Sequence, residues 1–163
     1  MADDAKTKPS ADDAALNNAA SNEAAMTDAK AKRVVDLMMS RDKFSNWLGI
    51  EVEDVGLGRC VLSMTVRDEM VNGFGRAHGG IAYSLADSAL AFASNGYGAI
   101  AVALTNTIWY PAKVSIGDRL VAEARELSRT RRTGLYEIRI HANGVDVAFF
   151  NGTVYITEKQ HEA

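Results

Sequence analysis

The sequence predicts an α+β domain in which a predominantly antiparallel β-sheet wraps around one buried helix. Three observations carry this prediction. Residues 81–94 form a helical segment that is apolar on nearly every side, so other structure must enclose it. Segments in which apolar and polar residues alternate come before and after it, as in half-buried strands. Asn143-Gly144, between two of these segments, is a dipeptide typical of tight antiparallel hairpins.

Composition places the chain among globular proteins. Its 163 residues are 47% apolar and 24% charged, which excludes collagen-like, mucin-like and wholly disordered chains. The net charge of −3 resides in residues 1–30, and the neutral remainder lacks the basic footprint of a general nucleic-acid binder. The nearly uncharged stretch 79–112 contains Asp87, several glycines and a proline, so it does not read as a membrane helix. We therefore expect neither nucleic acid nor membrane as a partner.

The chain opens on Met-Ala-Asp-Asp-Ala, which is acidic and is not followed by the apolar core of a secretory signal. Its one cysteine, Cys60, lies in a segment of period-two alternation and fits a small core residue better than a nucleophile. A single cysteine cannot form an internal disulfide, so the expected location is the reducing cytoplasm.

The predicted organisation is a tail, one domain and a short end. Residues 1–30 hold ten alanines and no aromatic residue, which predicts a mobile tail with at most transient helix. Order is expected from Ala31, with a domain over 31–158 and a C-terminal tail over 159–163. An amphipathic helix should run to about Ser45, and Gly49 should stop the helical region.

Strands account for most of the remaining domain. We expect a strand at 50–55 to pair with 59–67 across Gly56-Leu57-Gly58. A glycine-rich loop then leads into the apolar helix, which Asn95-Gly96 closes. The last predicted strands cover 99–110, 118–129, 134–142 and 145–157.

Asp87 is the most informative residue because it interrupts the most apolar helix of the chain. A buried carboxylate costs several kcal/mol unless it is paired, hydrogen-bonded or protonated. No Lys or Arg lies between His78 and Lys113 to form a local ion pair. Either a distant group satisfies Asp87, or its carboxylate faces a cleft and does chemistry there.

Gly79 and Gly80 begin the same helix and should leave backbone N–H groups open to a ligand. Such donors suit the oxyanion that develops on a carbonyl oxygen. They lie about 10–12 Å from Asp87 along the helix axis. One helix cannot easily bring both groups to one substrate atom, which points to a site shared between subunits.

Other chemistries lack their patterns. The segment Gly73-x-Gly75-x-x-His78 is missing the third glycine of a dinucleotide-binding loop, and the chain has neither a Walker loop nor a G-x-S-x-G elbow. The three histidines are scattered without zinc spacing. We therefore expect no metal and no cofactor.

The run Asn72-x5-His78-Gly79-Gly80-x6-Asp87 resembles the hotdog-fold acyl-CoA thioesterases, and specifically their phenylacetate-pathway (PaaI-like) branch. The likeness covers about residues 45–158. Further matching segments are Ser84-Leu85-Ala86-Asp87-Ser88, Tyr110-Pro111-Ala112-Lys113, Gly117-Asp118 and Thr133-Gly134-Leu135-Tyr136-Glu137. The resemblance implies a hotdog fold, a curved antiparallel sheet around a long central helix, with active sites at a dimer interface and dimers paired into a homotetramer.

The resemblance also implies roles for four catalytic candidates. Asp87 would activate water as a general base or attack the thioester directly, and both routes stay open. Gly79 would donate its N–H to the thioester oxygen. Asn72 would hold the water or the carbonyl, unless it is only a turn residue. His78 would brace the loop or contact the thioester, unless it is purely structural.

The substrate-binding candidates fall into two groups. Coenzyme A carries phosphates, for which the candidates are Arg129, Arg131, Arg132 and Lys113, although the three arginines also fit a solvated hairpin tip. The acyl pocket would be lined by Met70, Val71, Phe74, Tyr83 and Leu90, and Gly80 is a further substrate-binding candidate. The Ser or Thr that positions water in some relatives falls at Ala101, with Thr105 and Thr107 further on, so that role is unassigned.

The resulting prediction is a cytoplasmic acyl-CoA thioesterase that converts aryl-acyl thioesters, phenylacetyl or hydroxyphenylacetyl, to free acid and coenzyme A in aromatic catabolism. Two alternatives remain on the same fold. A hotdog dehydratase would need a His–acid pair placed for proton transfer. A non-catalytic acyl-CoA-binding module would have no need of an ionisable group in the apolar helix.

Overall fold

The computed structural model describes residues 11–162, with side chains from Met26 onward. It contains three α-helices and six β-strands in that range. The helices are α1 (Ala11–Arg41), α2 (Lys43–Leu48) and α3 (Gly79–Asn95). The strands are β1 (Glu51–Gly56), β2 (Arg59–Thr65), β3 (Ala99–Trp109), β4 (Arg119–Arg129), β5 (Thr133–Ala142) and β6 (Val145–Gln160).

The strands form one antiparallel sheet in the order β1-β2-β4-β5-β6-β3. This sheet curves around α3, whose apolar residues Leu85, Ala89 and Phe92 are buried in the core. Side chains of β4 and β5 alternate between buried and exposed, and the buried ones, such as Leu120 and Ile138, form the sheet side of the core. The predicted sheet around one buried helix is confirmed.

Tight turns lie where the sequence places them. Asn143 and Gly144 both have positive φ, 51° and 77°, as a type I′ turn requires between β5 and β6. Gly49 ends α2 in the left-handed conformation, at φ 76°, which a residue with a Cβ adopts only with strain. Both turn predictions are confirmed.

The predicted single helix before Gly49 is wrong, because the helical region breaks at Asp42. The Asp42 side chain accepts hydrogen bonds from the backbone N–H groups of Phe44 and Ser45, at 3.0 and 2.9 Å. It therefore caps a second helix, α2, instead of continuing the first. The central helix α3 also begins two residues earlier than predicted, at Gly79.

The chain makes ordered contacts on both sides of the predicted domain limits. Helix α1 extends N-terminal of Ala31, and Asp28 pairs with Arg59 at 2.8 Å. At the other end β6 continues to Gln160, and the His161 N–H donates to the Gly98 carbonyl. Asp28 and His161 lie outside the predicted domain limits of residues 31 and 158, and those limits stay a prediction. Residues 1–10 of the predicted mobile segment lie outside the described residues.

Cys60 is buried, and burial raises the pKa of its thiol to about 12. The thiol is therefore protonated at neutral pH and poorly reactive, which agrees with a core role. Within residues 11–162, no helix is long and apolar enough to cross a membrane. No group of three or more potential ligands that could hold a metal ion occurs in the described part of the chain.

Candidate active site

The N-terminus of α3 is built by His78, which is its cap. The His78 Nδ1 accepts a hydrogen bond from the Gly80 N–H at 2.9 Å. This bond uses the lone pair of Nδ1 as the side-chain cap of the helix. The His78 ring therefore holds the start of α3 through a hydrogen bond to the backbone.

Gly79 is left as the open donor of the glycine pair. It is exposed, and its N–H has no acceptor among the described residues, whereas the N–H of Gly80 is taken by His78. The Gly79 carbonyl, which belongs to the following peptide unit, accepts a hydrogen bond from the Tyr110 hydroxyl at 3.0 Å and holds Tyr110 beside the start of α3. An unpaired N–H at a helix N-terminus is the kind of group that stabilises a carbonyl oxyanion.

A cavity of about 140 Å³ lies beside this helix terminus. Arg76 and Lys113 line it together with His78, Gly79 and Tyr110, and Ala82 and Leu120 are among its apolar walls. Lys113 makes no recorded ion pair in the described residues. The structure thus places one predicted phosphate ligand, Lys113, close to the glycine pair.

Asp87 is half-buried on α3 and has no ion pair within residues 26–162. Its Oδ1 accepts a hydrogen bond from the Asn106 Nδ2 at 2.9 Å. Burial raises the pKa of the Asp87 carboxyl, and the bond from Asn106 opposes that rise. A carboxylate with a raised pKa and partial access to solvent can act as a general base.

Gly79, Tyr83 and Asp87 are spaced four residues apart and lie on one face of α3. The Tyr83 ring packs edge-on against Phe150, at 5.4 Å between centroids, and stands between the two predicted catalytic groups. Eight residues separate Gly79 from Asp87, about 12 Å along the axis. One protomer therefore presents both groups without bringing them to one atom.

Asn72 lies in the loop before α3 and holds that loop together. Its Oδ1 accepts from the N–H groups of Phe74 and Arg76, at 2.9 and 3.3 Å. This is the turn role that the sequence left open, and the Nδ2 group has no recorded partner among the described residues. Phe74 at the loop tip is 91% exposed, so it lines no acyl pocket of a single protomer.

The predicted arginine cluster lies at the opposite end of α3. The Arg129 guanidinium stacks on the Tyr97 ring at 3.8 Å and donates to the Tyr136 hydroxyl, so it is not a free phosphate ligand. Arg132 pairs with Glu158 and donates to Tyr155. Arg131 is exposed and has no hydrogen-bond or ion-pair partner recorded in residues 26–162. Within one protomer, none of the three approaches Gly79.

Two residues at the site escaped the sequence analysis, Asn106 and Tyr110. Both belong to the β3 side of the site and reach α3 only through the tertiary fold. Asn106 had a neighbouring signal, since Thr105 and Thr107 were considered for a polar role on the same strand. Those threonines are exposed, and it is the side chain of Asn106 that reaches Asp87.

Known proteins are similar to this chain in architecture and in sequence. The family model described as thioesterase superfamily matches residues 74–148. The acyl-coenzyme A thioesterase PaaI of Escherichia coli is 37% identical over 76% of this chain and 89% of its own. The structure of the E. coli PaaI protein from the phenylacetic acid degradation operon superposes with a TM-score of 0.81, at 34% identity, over 82% of this chain and 98% of that one.

Two further solved structures are similar. A mutant of the phenylacetic acid degradation protein PaaI from Thermus thermophilus matches with a TM-score of 0.68 and 40% identity, over 70% of this chain and 98% of that one. The protein smu.793 from Streptococcus mutans, solved bound to acetyl CoA, matches with a TM-score of 0.66 and 26% identity, over 69% and 91%. The chain therefore belongs to the thioesterase superfamily, as a hotdog-fold thioester hydrolase homologous to PaaI.

Proposed function

We propose that the protein hydrolyses acyl-CoA thioesters, with aryl-acyl groups such as phenylacetyl or hydroxyphenylacetyl as substrates, to the free acid and coenzyme A. One observation carries this proposal. The same face of α3 presents the Gly79 N–H, which has no acceptor in the described residues, and the half-buried Asp87 carboxylate, which has no ion pair there. The first suits the oxyanion of a tetrahedral intermediate, and the second suits activation of the attacking oxygen. The relatives named for PaaI and the relative bound to acetyl CoA support the substrate class.

The chemistry assigned to these groups balances as a hydrolysis. A water oxygen attacks the thioester carbonyl carbon while its proton passes to Asp87, and the Gly79 N–H stabilises the oxygen that becomes negative. Collapse of the intermediate breaks the C–S bond, and the departing thiolate takes up the proton. Direct attack by Asp87, with an acyl-enzyme anhydride that water then hydrolyses, gives the same products. The Asn72 Nδ2 group is free to donate to the water or the carbonyl.

The separation of Gly79 and Asp87 supports a site shared by two copies. Strand β3 lies at the edge of the sheet and exposes Val102, Leu104 and Trp109, at 48, 58 and 64%. An unpaired, apolar edge strand favours pairing with another strand. A second copy related by a two-fold axis perpendicular to β3 would pair its β3 antiparallel to the first and would also set its own α3 antiparallel. The Gly79 of one copy would then lie opposite the Asp87 of the other.

The same arrangement gives the exposed arginines a substrate role. The β4–β5 turn lies near the start of β3, because the Ile156 N–H donates to the Arg132 carbonyl and Ile156 pairs with Ala101. Antiparallel pairing of two β3 strands places the start of one beside the end of the other. Arg131 and Arg132 of one copy would therefore approach the Lys113 cavity of its neighbour, where coenzyme A phosphates need cations. We propose pairing of two such dimers into a tetramer.

An aryl-acyl preference is supported by aromatic side chains near Asp87. Helix α2 joins α3 where the Ser45 and Ser88 hydroxyls meet at 3.0 Å, one residue from Asp87. Phe44 and Trp47 on α2 stack on each other and are about half exposed. Together with Tyr83 they offer apolar, aromatic surface to a ring, and the Arg67 guanidinium lies 5.5 Å from the centroid of the Trp47 ring. A cytoplasmic role in aromatic catabolism stays part of the proposal.

The test is release of free thiol from a panel of acyl-CoAs, with the parent protein beside Asp87→Asn. The panel contains phenylacetyl, hydroxyphenylacetyl, benzoyl, short-chain and long-chain thioesters. We expect turnover to favour the aryl-acyl thioesters and to fall about 10²–10⁴-fold in Asp87→Asn. The exposed Asp68→Asn serves as a matched control and should retain parental turnover.

Each alternative has its own outcome in this experiment. Binding of acyl-CoA without release from any thioester would contradict hydrolysis and favour a binding module. Hydration of an unsaturated acyl-CoA would contradict hydrolysis and favour a dehydratase; in the structure the His78 Nδ1 is already engaged by the Gly80 N–H. Light scattering should give the molar mass of four chains. A stable monomer would contradict a site shared between subunits.

A further inference from the structure

Asn106 joins strand β3 to the face of α3 that carries Asp87. Its Nδ2 group donates to the Asp87 Oδ1 at 2.9 Å and to the Tyr83 hydroxyl oxygen at 3.0 Å. Both recorded hydrogen bonds of this side chain go to α3, one turn apart. One amide group thereby fixes the Asp87 carboxylate relative to the Tyr83 ring.

The orientation of this amide has a cost. The Asn106 Oδ1 is buried and has no hydrogen-bond partner within residues 26–162. A buried acceptor without a partner costs about 1–3 kcal/mol. Turning the amide by 180° would let Oδ1 accept from the Tyr83 hydroxyl, but it would also set an oxygen against Asp87. An ionised carboxylate has only acceptors, so that orientation is repulsive when Asp87 is charged.

The arrangement therefore favours a charged Asp87 over a neutral one, because the bond from Asn106 is stronger to a carboxylate. A hydrogen bond to a charged group contributes about 1.5–3 kcal/mol, which offsets the unpartnered oxygen. No cation from the described elements packed around α3 pairs with Asp87. The neighbouring polar groups are the Tyr83 hydroxyl on α3, and Ser45 and Asp42 on α2, which reach α3 through Ser88. None of these is a positive charge that could replace Asn106.

The geometry points to Asn106 as a positioning residue that holds the Asp87 carboxylate in one orientation and favours its ionised form. This inference relies on the proposed function only for the statement that Asp87 reacts. Burial raises the pKa of Asp87, and the bond from Asn106 is the interaction that acts in the opposite direction. Asn106 thus keeps a half-buried base available for proton transfer without placing a positive charge beside it.

The decisive measurement is a ¹³C NMR titration of side-chain carboxyl groups in the full-length protein. The Asp87 signal is assigned by its loss in Asp87→Asn. Leucine is nearly isosteric with asparagine and lacks both its NH₂ donor and its oxygen acceptor. In Asn106→Leu we expect the titration midpoint of Asp87 to move to higher pH than in the parent. Asn151→Leu on the adjacent strand β6 is exposed and should leave the midpoint unchanged. Asn106→Asp provides a second variant if the leucine protein does not fold, and its added carboxylate should raise the midpoint as well.

Kinetics supply a second, separate measurement. In Asn106→Leu, kcat/KM for the preferred thioester should fall roughly tenfold on the acidic limb and recover much of that loss at higher pH. A uniform loss at every pH with an unchanged Asp87 midpoint would show a merely structural role and overturn the inference. A shifted midpoint in a protein that hydrolyses none of the thioesters would support the role of Asn106 and contradict the proposed function instead.

Discussion

Toward its N-terminal end α3 leaves polar groups open, whereas beyond its C-terminal end a group of four polar side chains is mutually partnered. The Gly79 N–H has no acceptor in the described residues, and Asp87 has no cation. Beyond Asn95, the side chains of Tyr97, Glu126, Arg129 and Tyr136 bond or stack with one another. Satisfied polar groups stabilise a fold, and open ones are available to a reacting molecule. The contrast separates the end where we propose that the reaction takes place from the end that holds the helix in place.

Among the variants that compare the two ends of α3, Gly79→Pro should give the largest effect, because it removes the open N–H while leaving the helix intact. Proline is well accepted at the first helical position, and His78 already has the extended conformation, φ −62° and ψ 135°, that a residue before proline prefers. We expect kcat to fall about 10²–10³-fold. Steady-state thiol release measures this loss.

Gly79→Ala is the matched control, since it keeps the N–H. A Cβ at this position would meet the Tyr110 ring at 3.4 Å, an ordinary contact. Its kcat should stay near the parental value. Equal losses in the alanine and proline variants would show that space beside Tyr110, and not the N–H, matters at this position.

Tyr136→Phe tests the partnered side chains beyond the C-terminal end of α3. The Tyr136 hydroxyl is buried, donates to the Glu126 Oε2 at 2.7 Å and accepts from Arg129. Its removal should lower the free energy of unfolding by about 1–3 kcal/mol, measured in denaturant. The folded fraction should keep parental kcat. A loss of kcat with unchanged stability would reverse the roles assigned to the two ends.

Arg129 and Arg131, at the turn between β4 and β5, compare a partnered side chain with one that is unpartnered in the described residues. Arg131→Ala should raise KM for an acyl-CoA by about fivefold or less, the scale of an exposed charge contact, without changing stability. Arg129→Ala should instead destabilise the protein, because it leaves Glu126 and Tyr136 without their cation. A KM effect confined to Arg129→Ala would contradict this division.

The smallest effect concerns Asp87 and stability. Burial raises its pKa in the folded state, so the ionised form disfavours folding once pH exceeds the pKa of the unfolded chain. Asp87→Asn should therefore melt at a slightly higher temperature than the parent at neutral pH. The difference should disappear as pH falls below the ordinary range of an aspartate. Calorimetry across pH checks the sign, and a lower melting temperature at neutral pH would contradict it.

Much of the fold could be predicted because local spacing reports it. The apolar run of α3, the alternation in β4 and β5 and the Asn143-Gly144 turn each depend on residues close in sequence. The break at Asp42 was missed because the apolar spacing continues through it, although an aspartate three residues before Ser45 is a recognisable cap signal. The candidate residues Asp87 and Gly79 were found by chemistry, since a carboxylate and a glycine pair are unusual in such a helix.

The buried helix with its carboxylate and open glycine, and the alternating strands around it, follow from local sequence, because hydrophobic periodicity is a local property. The partners that reach those groups follow from the packing of segments that are distant in sequence. Asn106 lies 19 residues from Asp87, and Tyr110 lies 31 residues from Gly79. The register of β3 shifts between Ala103 and Thr105, so the inward-facing side changes from Ala101 to Asn106. A single irregularity in pairing with β6, which alternation cannot reveal, brought Asn106 to the carboxylate instead of its threonine neighbours.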